Sequence, residues 1–147
     1  MSEYKSTARW TKGRSGVVDA ESVEQPIAFS APVEFQGQSG MWTPEHFLVA
    51  AVAGCFVTTF IAIAELSKLE VVSLEASAAG VLEKVERGFQ FTRVGIRPVL
   101  VIARDSDRER ALRVLEKAER ACLVARSLHS EVTVEPTVLV QSPVLAA

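Results

Sequence analysis

Hydrophobic and polar positions change their period several times along this chain. Polar and apolar residues alternate over residues 4–10, and short β-prone runs follow at 16–20 and 26–30. Three strands are therefore predicted first, with Lys12-Gly13-Arg14-Ser15-Gly16 as the turn between the first two. A helix start follows at Thr43-Pro44-Glu45, where a hydroxyl offers an N-cap, proline takes the first helical position and an acid meets the positive helix end. That helix is predicted to run to about residue 67. Two long strand-like stretches come next, 71–86 and 89–103, joined at Arg87-Gly88, a pair suited to a tight hairpin. Pro98 inside the second predicts a bulge or a sheet edge. Ser106-Asp107-Arg108-Glu109 reads as a capping box opening a second helix that continues to about residue 127. Along it Ala111, Leu115, Ala118, Cys122 and Ala125 recur at steps of four and three, an apolar stripe that turns Cys122 towards the core. A final strand over 131–140 completes the order β-β-β-α-β-β-α-β. This pattern predicts an α+β fold, with two core helices packed on an antiparallel sheet.

Length and composition narrow the picture. A chain of 147 residues fits one domain, taken as residues 1–147, and is long enough to build a core without disulfide staples. The Pro-, Gly-, Gln- and Ser-rich stretch at 32–40 reads as a loop within it. The net charge is −2 and no Lys/Arg cluster stands out, so nucleic acid is not an expected partner. The first ten residues lack the apolar stretch of a secretory signal, which makes the cytoplasm the expected location. Residues 47–64 carry no charge, a length at which a membrane span is a candidate. The run is rich in alanine, contains Gly54, Thr58 and Thr59, and lacks aromatic and basic anchors at its flanks. It is therefore expected to be a central helix covered by protein on all sides, not a span.

The two cysteines, Cys55 and Cys122, are the candidates for chemistry. Thiol chemistry needs thiolate, and an ordinary cysteine is only about 3% ionised at pH 7. The helix dipole is too remote to help, because Cys55 lies eleven residues beyond Pro44, about 16 Å along a straight helix. A reactive Cys55 thus calls for a cation from elsewhere. Arg14, in its glycine-flanked turn, is one candidate, and Arg126, one helical turn after Cys122, is the other. Small neighbours around both cysteines would let two helices approach closely enough for a disulfide. The alternative is that both cysteines are small hydrophobes in the core.

The stretch Thr43-Pro44-Glu45-His46-Phe47-Leu48-Val49-Ala50-Ala51-Val52-Ala53-Gly54-Cys55-Phe56, together with Glu116-Lys117-Ala118-Glu119-Arg120-Ala121-Cys122, resembles the OsmC-like family of osmotically induced and organic-hydroperoxide-resistance proteins. The element order agrees as well. The resemblance implies an intertwined homodimer that reduces organic hydroperoxides, with a dithiol as reductant and no cofactor. By matching position it implies Cys55 as the peroxidatic thiol and Cys122 as the resolving thiol. It also implies Arg14 as the arginine beside the thiolate and Glu45 as the carboxylate that orients this arginine. Glu45 and Cys55 are ten residues apart, about 15 Å along a straight helix, so Arg14 and Glu45 are expected to reach Cys55 from the partner subunit.

Two departures from the family pattern stand out. Leu123 follows the second cysteine where better-known peroxidase members have proline, and Met41-Trp42-Thr43 replaces the usual asparagine before Pro-Glu. The apolar surroundings, with Phe47, Phe56 and Trp42, suit an alkyl hydroperoxide better than hydrogen peroxide. His46 and His129, the two histidines, do not combine with the cysteines into a zinc pattern, so no metal is expected.

Overall fold

The computed structural model describes residues 1–142, and the chain forms two compact units, Met1–Leu48 and Val49–Ala147. The first unit is an antiparallel meander of β1 (Ser6–Lys12), β2 (Ser15–Ala20) and β3 (Ile27–Ser30). The turn between β1 and β2 places Gly13 at φ 51°, a left-handed conformation that glycine adopts without cost. Trp10 Nε1 donates to Gly13 O at 2.9 Å across it. Gly16 is required by packing, since a Cβ there would lie 2.6 Å from the Arg9 carbonyl oxygen and 2.8 Å from the Phe29 ring. Beyond a single 3₁₀ turn at Val33–Phe35, the chain returns to the sheet, and the Ser30 N–H donates to Trp42 O at 2.8 Å. The meander has no apolar interior of its own: its buried residues are Gly16, Ser30 and Thr43, while every residue of β1 is exposed.

Helix α1 (Pro44–Leu66) leads from the first unit into the second. Its start forms as predicted, with an unpredicted partner. Thr43 Oγ1 accepts from the His46 N–H at 3.1 Å, and His46 Nδ1 accepts from the Thr43 N–H at 3.2 Å. This is the reciprocal arrangement of a capping box, with imidazole in place of the usual glutamate. The chain by itself covers this helix only in part. Among the described residues it is the one helix long and apolar enough to cross a membrane, and 22% of its most apolar window is buried within the chain. Its fully buried residues are Val52, Phe56, Phe60 and Ala64, spaced four apart, with Cys55, Ile61 and Ile63 half-buried against the same core.

The second unit is built on the hairpin of β4 (Val71–Val85) and β5 (Gly88–Ile102), turned at Gly88 with φ 119°. The predicted final strand is split into β6 (Glu131–Val134) and β7 (Thr137–Val140), both parallel to β5. Pro98 is the physical reason. Ile96 O and Ile102 O accept from the Glu135 and Gln141 N–H groups, so alternate positions of β5, position 98 included, turn their backbone groups to this partner side. Proline has no N–H to offer there, and β6 pairs up to Ile96 while β7 resumes at Val99. The expected bulge thus becomes an interruption of the neighbouring strand, and Pro98 stays fully buried and paired with Ala76.

The predicted capping box at Ser106 does not form. Residues Asp105–Asp107 make a 3₁₀ turn and α2 begins at Arg108 (Arg108–Ala121). Asp107 is buried instead, held by Arg104 at 3.2 Å and Arg110 at 3.5 Å. Buried charge needs such pairing, and it fixes where the helix starts. Helix α2 presents Ala111, Val114, Leu115 and Ala118 to a core completed by Val52, Phe56, Phe60, Val94, Ile96, Leu100 and Ile102.

Candidate active site

The predicted continuous helix to residue 127 is interrupted at Cys122. Its φ of −61° and ψ of 102° are extended, and a four-residue helix α3 (Leu123–Arg126) follows. The stripe itself is real: Ala111, Leu115, Ala118 and Cys122 are all buried, with Ala125 packed beside them. The break matters chemically. The first N–H groups of a helix have no intrahelical acceptor, so restarting the helix at Leu123 releases backbone donors at the edge of the core, beside the buried Cys122.

Those donors meet sulfur. Cys55 is half-buried on α1, beside the Val52–Phe56–Phe60 stripe and packed against the core that includes Cys122, Val124 and Ala125. Burial pushes the Cys55 thiol up, but hydrogen bonds from the Val124 N–H, the Cys122 thiol, the Thr59 hydroxyl and the Leu123 N–H pull it down further, leaving its pKa below that of an ordinary thiol. Cys122 is shifted the other way. Burial raises it most; the Ala125 backbone N–H pulls it back, but donation to Cys55 and repulsion from a Cys55 thiolate add to the rise, and the Val124 backbone opposes least, so the thiol stays above its ordinary value. Both cysteines are free thiols. The arrangement favours a thiolate on Cys55 and a thiol on Cys122, the asymmetry that a peroxidatic and resolving pair requires.

This source of activation is one that sequence did not suggest, beside the cation expected from elsewhere. Within the second unit, the groups that lower the Cys55 pKa are backbone amides, a hydroxyl and a thiol, and no cation is among them. Position in sequence gives a helix dipole that has faded by residue 55, whereas the fold brings a second, broken helix to the same sulfur. Arg126 is exposed, and its backbone N–H donates to Cys122 O at 3.1 Å.

Arg14 and Glu45 belong to the first unit. Arg14 is exposed in the β1–β2 turn, whose backbone is tied to the end of β3: Arg14 O accepts from the Ala31 N–H at 3.0 Å and from Ser30 Oγ at 3.5 Å. Its guanidinium makes no hydrogen bond or ion pair among the described residues. Glu45, in the first turn of α1, is half-buried, and its Oε2 is shielded from solvent with no hydrogen-bond partner. A carboxylate oxygen removed from water without a donor is costly. The first unit therefore holds an unpaired guanidinium and an unpaired carboxylate.

Sequence reasoning singled out Cys55, Cys122, Arg14 and Glu45 but missed Thr59 and the Leu123 and Val124 amides. Thr59 had a signal, its four-residue spacing from Cys55. The amides had none, because they act through a helix break that the apolar period conceals. Trp42 is 52% exposed, stacked on Phe47 at 5.9 Å and edge-on to His46 at 6.0 Å. With Gly40, Met41 and His46 it lines an open cavity of about 280 Å³. Among the described residues no group of three His, Cys, Asp or Glu side chains is placed to hold a metal ion.

An α+β chain with a meander, a long apolar helix and a paired-thiol site defines a class of protein, and comparison with known proteins gives the class its family. The family model described as OsmC-like protein matches residues 37–137, more than half of the chain. The chain belongs to the OsmC-like family. A similar curated relative is an uncharacterized protein of Bacillus subtilis, YmaD, 27% identical over 131 residues that span 87% of each chain. Among solved structures, an OsmC-like protein of unknown function from Vibrio cholerae superposes with a TM-score of 0.84 at 24% identity, covering 93% of this chain and all of that one. An organic hydroperoxide resistance protein from Elizabethkingia anophelis follows at 0.76 and 20%, covering 96% of this chain and 98% of the other. Another from Legionella pneumophila matches at 0.75 and 21%, covering 95% and 98%. At these identities the structural likeness establishes the fold.

Proposed function

We propose that this protein is a cytoplasmic thiol peroxidase that reduces organic hydroperoxides in defence against oxidative stress. The observation that carries the reading is the pair of opposed thiol shifts, Cys55 towards thiolate and Cys122 towards thiol, in two cysteines that act on each other's titration. Family membership and the fold shared with organic hydroperoxide resistance proteins support it.

In this reading the Cys55 thiolate attacks the outer oxygen of a hydroperoxide. The O–O bond breaks, the alkoxide leaves and takes a proton to become an alcohol, and Cys55 is oxidised to a sulfenic acid. Cys122 then attacks the sulfenic sulfur, an S–S bond forms and the hydroxyl departs with the Cys122 proton as water. A dithiol reduces the Cys55–Cys122 disulfide through a mixed disulfide and is itself oxidised.

Arg14 and Glu45 complete the site from a second copy of the chain. Three observations support a homodimer: the unpaired guanidinium and the orphaned Glu45 oxygen, the first unit's lack of a core, and a long apolar helix α1 that its own chain buries only along part of its circumference. Exposed apolar surface on this scale marks an interaction face.

Peroxide consumption measured with an alkyl hydroperoxide and a dithiol tests the reaction. Cys55→Ser is expected to abolish turnover, while Cys122→Ser leaves one round of oxidation per chain. Equal activity in wild type and both variants, or none in wild type, overturns the reading. Mixing inactive Cys55→Ser with impaired Arg14→Ala tests the shared site: a mixed dimer pairs an intact Cys55 with an intact Arg14, so activity should return. Its failure to return despite subunit exchange would place Arg14 outside the reaction or within its own chain's site.

A further inference from the structure

Two adjacent threonines on α1 use their hydroxyls differently. Thr58 is exposed, and its Oγ1 donates back to its own helix, to Gly54 O and to Cys55 O, each at 3.2 Å. That is the ordinary fate of a threonine within a helix. Thr59 is half-buried, and the hydrogen bond its hydroxyl makes is to the Cys55 sulfur, one turn earlier on the same face, at 3.8 Å. A hydroxyl facing a core would normally satisfy itself on the carbonyl four residues back. Here it is spent on a side chain whose other neighbours, the Val124 and Leu123 amides and the Cys122 thiol, all arrive from the α2–α3 break.

The geometry points to Thr59 as a positioning residue: its hydroxyl donates to the Cys55 sulfur from the helix side and holds it facing the amides and thiol of the α2–α3 break. This deepens the peroxidase reading and rests on it. A cysteine side chain turns about one bond between staggered positions, and donors on the α2–α3 side reach its sulfur only when it points at them. A donor fixed on α1 four residues away favours that position whether or not the broken helix shifts. β-Branched threonine suits the task, because its stiff χ1 presents the hydroxyl at low entropic cost. Among the groups acting on the Cys55 sulfur, the titratable one is Cys122, so a change in the Cys55 pH profile in a Thr59 variant has to be read with Cys122 present and reduced.

The test compares Thr59→Val, which keeps the branched shape and removes the hydroxyl, with Thr59→Ser, which keeps the hydroxyl. The readout is the rate of Cys55 alkylation by iodoacetamide against pH in the reduced full chain, with the labelled peptide identified by mass spectrometry. Thr59→Val should move the profile to higher pH and slow labelling at pH 7 by about threefold to tenfold, the worth of one ordinary hydrogen bond, as suits the long contact to sulfur. The alkaline plateau should stay at the wild-type value, and Thr59→Ser should stay within about twofold of wild type throughout. Superimposable profiles for wild type and Thr59→Val overturn the inference. So does an equal shift in both variants, or a lowered plateau without a shift, which would mark a packing role. Because alkylation needs no peroxide, an inactive wild type whose profile still shifts in Thr59→Val would refute the peroxidase reading and leave the positioning role standing.

Discussion

The second compact unit contains all the large apolar side chains that are fully buried among the described residues, and the first contains none. Both are made of ordinary secondary structure. The difference lies in what covers the elements: β4–β7 are backed by helices with apolar stripes, whereas β1–β3 form a small meander with Trp10 at 77% and Tyr4 at 94% exposure. Three short strands without a covered face are marginal by themselves. The comparison teaches that stability and function are distributed differently in this chain. The thiols lie in the unit that holds the buried core, Cys122 within it and Cys55 half-buried against it. Arg14 and Glu45 lie in the unit without such a core, where the guanidinium and Glu45 Oε2 have no partner among the described residues.

The largest effect should come from emptying the dense unit. Phe60 is fully buried, and Phe60→Ala should lower unfolding free energy by about 3–5 kcal/mol in denaturant titrations. A loss below about 1 kcal/mol would mean the second unit is not the stability centre. The thin unit should respond less. Gly16→Ala forces a Cβ against the Arg9 carbonyl and the Phe29 ring, and about 1–3 kcal/mol is expected by the same measurement. A cost matching that of Phe60→Ala would erase the distinction between the units.

The smallest effect sharpens the comparison between the two thiols. A group whose folded pKa is lowered ionises first as pH rises, so alkylating reagent should enter Cys55 at lower pH than Cys122, whose pKa is raised. Denaturant should abolish the order, because the shifts come from folded neighbours. Labelling of Cys122 first in the native protein would reverse the assignment of roles.

Much of this was legible in the chain. The three early strands, the Thr43 cap, the β4–β5 hairpin and the buried stripe of α2 follow from periods and caps that act over one or two turns. The failures share a cause. The Ser106 capping box lost to Asp107 because two arginines neutralise that aspartate in the fold, and the final strand was divided because Pro98 lies on a neighbouring strand. The uncovered face of α1 escaped notice because hydrophobicity records what a helix would bury, not what is present to bury it.

The two cysteines and their separation are fixed by sequence, as are the helical phases that point both at the core. Sequence places Cys55 too far from its own helix start to be ionised by it, so from sequence alone a cation is the expected source. The tertiary structure supplies a further source: a helix broken at Cys122 whose free amides act on the Cys55 sulfur, with Thr59 donating from one turn along α1. Amide donors carry no mark in composition or charge. They become available only where the backbone stops bonding to itself, and the three-dimensional packing decides which side chain they meet.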